Sequence, residues 1–216
     1  MMIWNMLPSV LMIVAPILIT AIGGMISEKS GVVNIALEGL MMIGAMSAAA
    51  AHVLMEGSGM NHTLSLVLAM VIGTVIGGLF SLLHAVAAIN LNADQTISGT
   101  GINLLASGVT IFASQILFNA DRTKEFRMGM QTDALGFYPT AYIALVVVLL
   151  SWFVLYKLPF GMHLRACGEH PGAAESVGIN VKRIRYIAVL ASGMLAGLAG
   201  GCVVLTQTIQ YTSNTI

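Results

Sequence analysis

The sequence predicts an all-α polytopic membrane bundle of about six spans, with one short helix standing outside the bilayer. Three observations predict it. The chain is 57% hydrophobic and 8% charged, where soluble domains run near a quarter charged. Six apolar runs are long enough to cross about 30 Å of hydrocarbon. Twenty-three glycines include small-xxx-small steps that suit helices packed against each other in lipid. The formal net charge of zero argues against nucleic acid as a partner.

The first run, Ser9–Ile26, follows residues that lack a positive n-region, so it reads as a retained span. The second, Val32–Met55, is preceded by Ser30-Gly31 and opens with Val32-Val33-Asn34-Ile35-Ala36-Leu37-Glu38-Gly39. Asn34 and Glu38 are four apart and on a helix would share one face. An acid within a membrane segment is costly and by default marks function. Two readings stand: a helix-start acid held at a break between Gly31 and Gly39, or a residue on a solute path. Whether Ser30–Gly39 spans or is re-entrant also stays open.

The third run, Leu64–Ile89, carries Gly73 and Gly77, a packing face, and His84, read as hydrogen-bonded structure. The fourth, Thr96–Phe118, carries Thr96, Thr100, Asn103, Ser107, Thr110 and Ser114 at alternating spacings of four and three. That is a polar stripe along one helix face. It faces either other helices or a water-filled path. A polar connection, Asn119–Thr140, carries Asp121, Arg122, Lys124, Glu125, Arg127 and Asp133. The fifth run is Ala141–Tyr156. The sixth, Tyr186–Thr206, places Gly193, Gly197 and Gly201 on one flat packing face.

Between the last two runs lies a polar stretch, 157–185, with five of the nine Lys/Arg residues and two of the nine acids. Within it, Glu169–Ile179 reads as a short helix. Pro171 suits the first helical position and Gly178 the left-handed position past the end. About two turns are not stable alone in water, so the helix must lie against this chain or a partner. Alternation puts Lys29, Lys157, Arg165, Lys182, Arg183 and Arg185 on one side and Arg122, Lys124 and Arg127 on the other. The positive-inside rule then makes 157–185 cytoplasmic and the N-terminus external. A re-entrant Ser30–Gly39 would move the N-terminus inside.

Catalytic motifs are absent from the sequence. There is no P-loop and no HExxH metal motif. Cys167 and Cys202 lack metal-ligand spacing. The chain is therefore read as a non-enzyme with no catalytic residue, no metal and no cofactor of its own.

Ser30-Gly31-Val32-Val33-Asn34-Ile35-Ala36-Leu37-Glu38-Gly39-Leu40-Met41, with Gly44-Ala45, resembles a signature of bacterial inner-membrane ABC-transporter permeases. The subgroup is that for ribose, branched-chain amino acids and nucleosides. Phe160-Gly161, Arg165-Ala166, Gly168-Glu169, Pro171, Ala173-Ala174 and Gly178-Ile179 resemble the cytoplasmic loop of the same family, and Ser192-Gly193, Ala196-Gly197 and Ala199-Gly200-Gly201 its next helix. The form with Glu38 most resembles nucleoside permeases that work with a binding lipoprotein.

The resemblance implies one transmembrane permease domain over 1–216. Its coupling helix, with Glu169, His170, Pro171, Gly172, Ala173, Ala174, Gly178 and Ile179, would sit in a groove of a cytoplasmic ATPase subunit that uses the ATP. Ala173 and Ala174 would allow close approach. Glu169 would pair with an ATPase arginine or cap the helix. A second permease, homologous or identical, an extracytoplasmic solute-binding lipoprotein and membrane lipid complete the partners. Asn34, Glu38, Asn103 and Ser107 are expected to line the path. Family members run longer, with spans after the glycine-rich helix, so the domain is expected either to be truncated or to obtain those helices from another chain. Rival readings are an ATP-independent secondary carrier with a site at the Gly31–Gly39 break, and a sugar or amino-acid ABC permease.

Overall fold

A computed structural model describes residues 2–126, 128–132, 136–208, 210–212 and 215–216. Arg127 and Asp133, both expected in the polar connection, lie outside the described residues. Among these residues eight α-helices follow in order: α1 Met2–Lys29, α2 Leu37–Gly57, α3 His62–Ala85, α4 Gln95–Phe118, α5 Pro139–Lys157, α6 Pro159–Glu169, α7 Pro171–Ser176 and α8 Val181–Gln207. A π-helical turn, Val86–Asn90, extends α3. All but α6 and α7 are long and apolar enough to cross a membrane, so the six expected spans are present among the described residues.

α2 and α8 form the centre. In each, 61% of the spanning window is buried, against 17–28% for the other four spans. α8 packs on α1, α2 and α3, while α4 leans on α2 and α5 on α1. The outer faces carry Ile13, Ile17, Leu104, Phe112, Leu149 and Trp152, all exposed. Such a surface is stable against lipid tails and not against water.

Glycine sets how closely the central helices approach. A Cβ on Gly77 would lie 2.7 Å from the Gly197 Cα, one on Gly197 2.5 Å from the Gly73 carbonyl oxygen, and one on Gly73 2.7 Å from the Gly44 carbonyl oxygen. Gly193 is as tightly closed, against Ser81. At Gly73, Gly77, Gly193 and Gly197, α3 and α8 approach too closely for a side chain. Gly201 departs from the expectation: a Cβ there meets only the Ala48 Cβ at 3.5 Å, an ordinary contact. The tight position is its neighbour Gly200, which presses on the α2 backbone at Met41. One helix step turns α8 from α3 toward α2, so its small residues serve two partners rather than one flat face.

The polar stretch 157–185 is more helical than its composition suggests. α6 starts at Pro159, whose fixed φ suits a first helical position. It buries Gly161, Leu164 and Cys167. The exposed helix α7 begins at Pro171. It ends with Gly178 at φ +86°, Gly178 N donating to Glu175 O and Ile179 N to Ala174 O, both at 3.0 Å. That pair of bonds closes a helix through a left-handed residue, which glycine adopts without penalty. The expected helix therefore shortens: Glu169 is the last residue of α6.

Candidate functional site

Two neighbouring features carry the site. The first is a non-helical break, residues 31–36, between α1 and α2. It starts beside Arg185 of α8 and at Asn34 reaches Ser192 of the same helix. Arg185 and Ser192 are seven apart, so the break enters the bundle by about 10 Å. Irregular backbone at that depth needs a partner for every polar group.

Side chains supply those partners. Ser27 Oγ donates to Val32 O at 2.7 Å. Val33 N donates to Gln95 Oε1 at 2.7 Å. His84 Nε2 meets Val33 O at 3.1 Å, and its Nδ1 meets Ser98 Oγ at 3.1 Å. Because a carbonyl only accepts, Nε2 carries the proton and Nδ1 accepts from the serine. Asn103 spans the junction: its Nδ2 donates to Ile35 O at 3.1 Å and its Oδ1 accepts from Gly39 N at 2.8 Å. Gly99 gives the space for this approach, since a Cβ there would lie 2.8 Å from the Ile35 Cβ.

Asn34 does not share a helix face with Glu38, because it precedes α2. It is buried, donating from Nδ2 to Ser192 Oγ at 2.9 Å and accepting from Ala36 N at 3.1 Å. Glu38 stands exposed in the first turn of α2, where the helix dipole favours an anion. Ser107 is half-buried. The polar stripe of α4 divides along its length: Thr96 and Thr100 are exposed, Thr110 and Ser114 buried. His84 has the structural role expected of it. Gln95 drew no attention in the sequence, since its partner lies 62 residues away.

The second feature is the α6–α7–α8 connection. Arg185 Nε donates to Ser30 O at 3.2 Å, and its Nη2 reaches Cys167 O at 3.5 Å. One guanidinium thus bridges the end of α6 and the mouth of the break. Gly31, at φ +87°, leaves room for it. Gly168 packs against the Lys29 carbonyl with no space for a side chain. Arg165 donates to Leu155 O at 3.0 Å and stacks over Tyr156, which locks α6 to α5.

α7 itself is anchored by one residue. Ala174 is buried with Cys167 and Val181, and Ile179 packs beside them. Burial pushes the Cys167 thiol above its ordinary pKa, against the pull of Arg185. Pro171, Gly172, Ala173, Glu175, Ser176 and Val177 face outward, as do His170 before the helix and Gly178 after it. The two alanines expected to allow close approach therefore divide: Ala173 is on the free face and Ala174 is internal. Glu169 does not cap α7, whose start has no side-chain cap. It lines a cleft with Glu28, Lys29 and Arg165.

Six helices able to span a membrane, an irregular α1–α2 connection drawn into the bundle and a short exposed helix beside basic residues are the architecture of a polytopic membrane protein. Residues 6–216 match the family described as "branched-chain amino acid transport system / permease component", and the chain belongs to that family. It is 41% identical to the guanosine ABC transporter permease NupQ of Bacillus subtilis, over 97% of this chain and 70% of that one. It is 36% identical to the nucleoside ABC transporter permease NupC of Lactococcus lactis, over 93% of this chain and 67% of that one. A putative glucose ABC transporter permease of Haloferax volcanii is 32% identical, over 85% of this chain and 57% of that one. No solved structure matches at a significant level. The chain is accordingly a multi-pass membrane permease subunit of an ABC transporter, a family of transport components rather than enzymes.

Proposed function

We propose that this permease imports nucleosides across a bacterial inner membrane, driven by a separate ATPase subunit that grips α7 from the cytoplasm and uses the ATP. The observation that carries the reading is the Arg185 bridge between α6 and the break. A push on the free face of α7 passes through Ala174 into α6 and the start of α8. From there the guanidinium carries it to Ser30, where the broken segment begins. The basic residues around this connection support a cytoplasmic placement. The likeness to permeases named for guanosine and nucleosides supports the solute class.

Glu38, Asn103 and Ser107 are the residues we assign to the solute path, with Asn103 at the junction of α4 with the break and α2. Asn34 shapes the path from behind by holding the break on α8. A second permease copy or homologue faces them, and an extracytoplasmic binding lipoprotein delivers the solute. The test is uptake of radiolabelled guanosine into vesicles holding the permease pair with and without its ATPase. ATP-dependent uptake, competed by nucleosides and not by glucose, is expected. Uptake that persists without the ATPase rejects the reading; competition by glucose alone moves it to a sugar permease.

A further inference from the structure

At the end of the bundle opposite α7, three side chains of metal-ligand type meet. His52 and Glu56 lie four apart on α2, on one helix face. His62 opens α3 across the turn. One ligand atom from each residue lies within 4.8 Å of the others. Four-coordinate zinc, with bonds of about 2.0–2.2 Å to nitrogen and oxygen, needs its ligand atoms at about 3.3 Å. Side-chain rotation of an ångström or so closes that difference.

The surroundings prepare His52 as a ligand. Its Nε2 meets the Met128 carbonyl at 3.2 Å. A carbonyl only accepts, so Nε2 holds the proton and the lone pair is at Nδ1. Ligating histidines characteristically donate their other N–H to a carbonyl or carboxylate, which fixes tautomer and ring orientation. Here the Ser65 hydroxyl meets Nδ1 at 2.7 Å, a group that can rotate away. The Phe126 ring packs edge-on against His52, centroids 5.1 Å apart. The His62 Nε2 is buried without a hydrogen-bond partner among the described residues. A buried polar atom left so is costly, and an ion would satisfy it.

We propose that His52, Glu56 and His62 bind a divalent transition-metal ion of the zinc type. The ion cross-links the outer ends of α2 and α3 beneath the segment carrying Phe126 and Met128. Two imidazoles and one carboxylate suit zinc or cobalt over calcium or magnesium, which prefer all-oxygen shells. The sequence held one signal, the His52/Glu56 spacing. The third residue, His62, follows a turn, so the three together match no standard metal motif.

The test titrates Zn²⁺ and Co²⁺ into the full, metal-stripped chain in detergent, measuring stoichiometry, the visible cobalt spectrum and thermal unfolding. Expected are one ion per chain, the intense absorption of four-coordinate cobalt, and a rise in Tm with zinc. His62→Ala and Glu56→Gln each weaken binding by about tenfold or more, while Ser65→Ala tightens it by freeing Nδ1. His163→Ala, on α6 at the other end, leaves it unchanged. No saturable binding to the unmodified chain overturns the proposal, as does binding that survives both His62→Ala and Glu56→Gln. Unchanged affinity in Ser65→Ala overturns the assignment of Nδ1 as the ligand.

Discussion

The Asn34 amide donates to the Ser192 hydroxyl at 2.9 Å, across 158 residues of chain, both side chains buried. This bond holds the break on the central helix at the depth where water cannot compensate for its loss. Asn34→Leu removes both its bonds and leaves Ala36 N without its acceptor, so a loss of about 1–3 kcal/mol is expected. Ser192→Ala costs less, because Asn34 retains Ala36. Denaturant unfolding in detergent, run as a double-mutant cycle, should give a coupling near the membrane-protein average of about 0.6 kcal/mol. No coupling means the two groups do not interact.

The glycines of α8 are not equivalent. Gly197→Ala forces a methyl into the α3 backbone and is expected to cost about 1–3 kcal/mol, as overpacking does. Gly201→Ala meets a neighbour at 3.5 Å and should change stability by less than about 0.5 kcal/mol. Equal costs at the two positions refute the two-partner geometry of α8.

The alanines of α7 divide in the same way. Ala173→Asp adds a charge to the exposed face and should abolish transport coupling while the chain inserts and unfolds normally. Ala174→Asp buries that charge against Cys167 and Val181, and should lower expression and stability instead. Coupled ATPase assays with size-exclusion profiles separate the two. Normal coupling in Ala173→Asp removes α7 as the contact.

Arg185→Lys keeps the charge but loses the fork that reaches Ser30 O and Cys167 O together. ATP hydrolysis without matching uptake is the expected outcome, with the ATPase still co-purifying. Uptake kept at the unmodified level shows that the bridge carries no motion.

Cys167 gives a chemical check on the packing. Its raised pKa leaves less thiolate than a free cysteine at pH 8, and Ala174 covers it. Maleimide labelling of the folded chain should be far slower than after denaturation, and Ala174→Gly should accelerate it. Fast labelling of the native chain rejects the buried placement.

Much was legible in the order of residues alone, because the determinants are local. Runs of apolar side chains set the spans. Pro171 and Gly178 punctuate α7 through their own backbone preferences, whatever surrounds them. Polarity misled over 159–169, where amphipathic packing against α5 and the end of α1 makes a helix of a stretch that reads as loop. Partnership was not legible. Asn34 as a pin on Ser192, Gln95 and Asn103 as caps for the break, Gly200 rather than Gly201 as the close contact, and His62 beside His52 all join residues from different helices. Hydropathy and backbone preference act between near neighbours and so can be read along the chain. Which faces meet depends on how six helices share one packed volume, and that is set only when all of them are in place.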